Sequence, residues 1–66
     1  MADVIVDDQG TVCAFEFQTD EALNWLDENV EYEGWQWLGG RLIVDHRPAY
    51  GLAEAFQQAG FTVAVI

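Results

Sequence analysis

Few side chains in this sequence could do covalent chemistry. It has no serine and no lysine, so the candidate nucleophiles are Cys13 and three threonines, and His46 is the only imidazole. Cys13 lies in the alternating run from Thr11 to Phe17, on the same side as Phe15 and Phe17. Surrounding carboxylates would raise its pKa, whereas a nucleophilic cysteine needs a lowered one. Cys13 therefore reads as a core residue. In Asp45-His46-Arg47 a carboxylate adjoins the imidazole, but neighbours at a strand end point to different sides, so adjacency makes no dyad. These three read as cap and surface residues. Asp7-Asp8-Gln9-Gly10 offers oxygen donors and a glycine but lacks the glutamate that follows at calcium-loop spacing, and reads as a turn. No catalytic residue, metal ligand or cofactor is expected, and the chain does not read as an enzyme.

The abundant chemistry is carboxylate. Twelve Asp and Glu face two Arg, for a formal net charge of -10. Ten of the twelve (Asp3, Asp7, Asp8, Glu16, Asp20, Glu21, Asp27, Glu28, Glu31 and Glu33) fall in residues 1–33 with no base among them. Residues 34–66 hold Asp45, Glu54, Arg41 and Arg47 and are neutral. General acid-base work needs carboxylates whose pKa values are split by burial or partners, and these lie on an expected solvated face. A surface tuned only for solubility mixes both signs. The charge-driven partner of such a face is basic, because acidic surfaces repel nucleic acid and anionic membrane alike.

The elements that must position these acids follow from periodicity. At 66 residues the chain is one small domain, spanning 1–66, and its core must be rich. It is 52% hydrophobic, with three Trp, four Phe and two Tyr. Val4 to Val6 reads as a strand, residues 7–10 as a turn, and Thr11 to Phe17 as the second strand of a hairpin. Thr19 is an N-cap for a helix over about residues 20–31, with Ala22, Leu23, Leu26 and Val30 buried and Asp20, Asn24, Asp27 and Glu31 outward. Residues 35–38 and 41–44 form a hairpin around Gly39-Gly40. Pro48 fits the first position of a second helix running to about Ala59, with Ala49, Leu52, Ala53, Phe56 and Ala59 inward. Gly60 stops this helix, and Phe61 packs back on it. Residues 61–66, apolar on both faces, read as an interior strand. The expected fold is α+β, in the order ββαββαβ, with two helices on a mostly antiparallel sheet.

On that frame Asp20, Asp27, Glu28, Glu31 and Glu33 form an acidic face, extended by Asp7, Asp8 and Glu21. Asp27 and Glu31 would stand about 6 Å apart along the axis, with Asp20 roughly 10 Å behind. Such a face can occupy a basic groove built for DNA or RNA, standing in for phosphates. Trp25, Trp35 and Trp37 read as core, with Tyr32 and Trp35 the candidate exposed anchors. The alternative function is an accessory or antitoxin-like interaction protein that binds through an aromatic patch or sheet edge.

The segments Thr19-Asp20-Glu21-Ala22 through Trp25-Leu26-Asp27-Glu28-Asn29-Val30, and Val44-Asp45-His46-Arg47 through Ala53-Glu54-Ala55-Phe56 to Gly60-Phe61, resemble small acidic proteins of phages and mobile elements. That group includes anti-CRISPR proteins directed at type I-C effectors. The resemblance implies an inhibitor of the effector's DNA-recognition surface. The matching Trp25, His46, Arg47 and Gly60 look like determinants of the fold, so the acids above are assigned from their own positions. The single cysteine, the absence of a signal-like N-terminus and the absence of a long apolar run lead to the expectation of a cytoplasmic, monomeric protein away from membranes, in the host cytoplasm if phage-encoded.

Overall fold

The computed structural model describes residues 2–32 and 34–66. β1 (Val4–Asp8), β2 (Val12–Phe17), α1 (Asp20–Asn29), β3 (Gln36–Leu38), β4 (Arg41–Asp45), α2 (His46–Gln58) and β5 (Val63–Val65) follow in that order. The fold is α+β, with two helices and one five-stranded sheet ordered β3-β4-β2-β1-β5. All neighbours are antiparallel except β1 and β5.

Strand alternation divides the sheet into two faces. The register sets Val65, Val6, Phe15, Leu42 and Trp37 side by side in one row. Val4, Cys13, Phe17 and Val44 share that face, where Ala22 and Leu26 of α1 and Ala49, Leu52 and Phe56 of α2 close the core. Phe56 lies at its centre, its ring 5.6 Å from Phe17, 4.7 Å from Trp25 and 5.7 Å from Phe61. Among the described residues no helix covers the other face, which carries Ile5, Asp7, Ala14, Glu16, Arg41, Ile43 and Asp45.

The helix ends show why the sequence folds as it does. The Thr19 hydroxyl accepts the Ala22 N–H at 3.2 Å, closing the first turn of α1. α1 stops at Asn29, two residues short of the expected end, where β-branched Val30 turns extended. The Asn29 side chain folds back over the last turn and donates to the Trp25 carbonyl at 3.0 Å. Leu23, expected inward, is 36% exposed, because Trp25 fills the space against Phe56 and Phe61.

α2 begins at His46, so Pro48 sits in its third position rather than its first. The missing proline N–H costs nothing there, since none of the first four has an intrahelical acceptor. At the other end Phe61 N–H reaches Phe56 O and Gly60 N–H reaches Gln57 O, both at 3.0 Å, with Gly60 at φ 98. This is the Schellman cap, and it brings Phe61 onto Phe56. Ala59, expected inward, is the exposed C-cap. Gly39 and Gly40 take φ 57 and 79, the signs a two-residue primed turn requires.

β5 is an edge strand, contrary to the interior position its apolar run implied. β4 runs parallel to β1, and α2 carries the chain from β4 across β2 and β1. With the β3–β4 hairpin and β2 occupying the far side, only the outer edge of β1 remains open to a parallel strand. Val65 and Ile66 accordingly stay exposed.

Replacing Phe56 by Ala should cost about 3–5 kcal/mol. A domain of this size has roughly 3–10 kcal/mol in all, so Phe56→Ala should leave much of the population unfolded in a urea titration followed by circular dichroism. A loss below about 1 kcal/mol would place the core elsewhere.

Candidate functional site: an acidic helix face

α1 is the element that carries the acids. Its inward positions, Ala22 and Leu26, are fully buried, and Trp25 packs sideways on α2. Helical periodicity then turns Asp20, Glu21, Asp27 and Glu28 to the exposed side with Asn24. Asp20 and Glu21 occupy the first turn, where the N-terminal end of the helix dipole favours negative charge. Glu31 is exposed but lies beyond the helix, because α1 has already ended at Asn29. Asp27 and Glu31 are therefore not an i, i+4 pair on one helix. Glu33, assigned to the same face from sequence, falls outside the described residues.

Asp7 and Asp8 do not extend this face. β1 continues through both, and adjacent strand residues point to opposite sides. Asp7 stands on the uncovered sheet face, 3.4 Å from the Arg41 guanidinium, which also lies 3.7 Å from Glu16. The Arg41–Asp7 pair bridges β4 and β1 across β2, at the level of Ala14. Ala14 is 1% exposed on a face that no helix covers, and its small side chain leaves room for the arginine to cross.

Asp8 points the other way, toward α2. It accepts the Gly10 N–H at 2.9 Å and lies 3.3 Å from the Tyr50 hydroxyl and 3.5 Å from His46 Nε2. Tyr50 Oη in turn lies 3.2 Å from the same nitrogen. The Gly10 N–H bond, aided by His46 and Tyr50, lowers the Asp8 pKa, and the Asp8 charge raises that of Tyr50. Asp8 and Tyr50 both meet Nε2, and these contacts tie the first hairpin to the start of α2. Cys13 lies buried on the same face, its thiol pushed up by burial and by Asp8 and Asp7.

Among the described residues no ion pair reaches Asp20, Glu21, Glu28 or Glu31. Asp27 accepts a hydrogen bond from the Tyr32 hydroxyl, and that bond raises the Tyr32 pKa. Tyr32 and Trp35, expected as exposed anchors, are half-buried against the core. Trp37, assigned to the core from sequence, is the exposed indole at 41%. It points to the helix side of the sheet, but from β3, the edge strand, where the helices leave it partly uncovered.

The Asp8 cluster sets a pH dependence. A carboxylate whose folded pKa lies below its unfolded one stabilises the protein above the unfolded value, and loses that effect as pH falls through the folded one. Asp8→Asn should therefore lower the melting temperature near neutral pH, with the gap to wild type closing as pH falls through and below the ordinary carboxylate range. Thermal melts across that range check it, and a gap independent of pH would contradict it.

No helix among the described residues is long and apolar enough to cross a membrane. Comparison with protein-family models, with curated proteins and with solved structures finds no match to this chain, which leaves its surface chemistry to speak for its role.

Proposed function

We propose that this protein is a nucleic-acid mimic: a non-enzymatic inhibitor that lays the acidic face of α1 on a basic DNA-binding surface of another protein and keeps DNA from it. One observation carries this reading. Asp20, Glu21, Asp27 and Glu28 stand exposed on one helix held rigidly to the core, and no ion pair to any of them is present among the described residues. Four carboxylates over about 12 Å of helix axis approach the charge density of a single nucleic-acid strand, roughly one phosphate per 3.4 Å. A surface that carries such a row without interleaved lysine attracts basic grooves through a long-range, salt-sensitive field.

The two arginines do not undo this. Arg41 is engaged with Asp7 and Glu16 on the far side of the sheet, and Arg47 lies at the start of α2. The partner class that fits is the DNA-recognition subunit of a multi-subunit CRISPR effector, the type I-C effector implied by the resemblance of the α1 and α2 segments. In that role the protein acts as a monomer in the cytoplasm where the effector works, and touches neither nucleic acid nor membrane directly.

The test is target-duplex binding by purified type I-C effector, followed by gel shift as the protein is titrated in. The wild-type chain should block the shift. The variant Asp20→Lys, Glu21→Lys, Glu28→Lys, Glu31→Lys leaves Asp27 bonded to Tyr32, and should need more than about tenfold higher concentration with an unchanged circular dichroism spectrum. Equal inhibition by the two proteins would remove the acidic face from the mechanism.

A further inference from the structure

The acidic row does not end in open solvent on every side. Asp27 accepts from the Tyr32 hydroxyl, and the Tyr32 ring stands edge-on to the Trp37 indole, with centroids 6.0 Å apart and planes at 86°. Trp37 is 41% exposed and held from the core side by Phe17, 6.0 Å away. Leu23, 36% exposed, is one helical turn before Asp27. A fixed carboxylate, a fixed phenol and an exposed indole thus run in contact from α1 to β3, the free edge of the sheet.

We infer that this corner, formed by Asp27, Tyr32 and Trp37, receives an arginine side chain of the basic partner. The inference rests on the charge-mimic reading above and adds to it the identity of the cation. Arginine presents a planar guanidinium that can lie on an aromatic face while its N–H groups meet a carboxylate; lysine is a compact, strongly hydrated point charge that does the first less well. The Tyr32 hydroxyl bond leaves the second Asp27 oxygen for such a donor and holds the carboxylate at the Tyr32 end of the aromatic pair. A second copy of this chain is disfavoured as the occupant, since each copy carries a net charge of -10. Nucleic acid, whose bases would also stack on an indole, is repelled by the same charge.

The probes are two nine-residue peptides, all-arginine and all-lysine, titrated into the protein by calorimetry, with the Trp37 indole N–H followed by NMR. The arginine peptide should bind about 3- to 5-fold tighter than the lysine peptide. Its binding should shift the Trp37 signal. Trp37→Ala should erase the preference while keeping the salt-sensitive affinity, and Trp37→Phe should retain part of it, which separates loss of the ring from loss of the fold. Equal binding of the two peptides, still weakened by reversing Asp20, Glu21 and Glu28, would overturn the arginine site and leave the charge mimic standing. Failure of both peptides to bind would overturn both.

Discussion

Everything in this molecule depends on an apolar cluster strong enough to hold a chain that repels itself. Twelve carboxylates and two guanidiniums cannot be balanced by ion pairing, so the compact state must be secured by burial. The cluster is aromatic and lies where the two helices meet the sheet: Phe56 touches Phe17 from β2, Trp25 from α1 and Phe61 from the cap of α2. Aromatic side chains bury the most area per residue, which matters when the whole protein measures about 26 by 24 by 22 Å. Because Trp25 and Leu26 anchor the inner side of α1 in this cluster, its outer side can present charge without the helix lifting away.

Arg41 and His46 meet acids of the first hairpin rather than those of the helix. Arg41 takes Asp7 and Glu16 on the uncovered sheet face, and His46 takes Asp8 at the start of α2. Both contacts join residues distant in sequence, β1 to β4 in the first case and β1 to α2 in the second, so they also pin the topology. Among the described residues no ion pair reaches the acids of α1. Four of the acids share the exposed side of that one helix, and the corner at Tyr32 and Trp37 adjoins it.

The elements and their order were legible because their punctuation is local. Thr19 as N-cap, Gly39-Gly40 as a primed turn and Gly60-Phe61 as a Schellman cap each need only a few neighbouring residues. The errors arose where tertiary contacts decide. Val30 leaves the helix early to pack against the core, which takes Glu31 off the helical stripe. β5 is an edge strand because α2 delivers it to the outer edge of β1, which its apolar composition does not reveal. Of the candidate site, the outward α1 acids followed from periodicity, whereas Asp7 and Asp8 separate because β1 runs two residues further than its apolar stretch. Trp37 was missed for a related reason: an indole on an inward face is uncovered only if its strand lies at the edge, and strand order is not a local property.

An acidic face that takes the place of DNA on a basic partner must compete with DNA for it, and a competition at varied salt reads this directly. Association of the protein with type I-C effector would be followed by calorimetry across a series of salt concentrations, with and without saturating target duplex. The logarithm of the affinity should fall linearly with the logarithm of salt, and the duplex should exclude the protein. An affinity insensitive to salt, or a stable ternary complex of effector, duplex and protein, would contradict it.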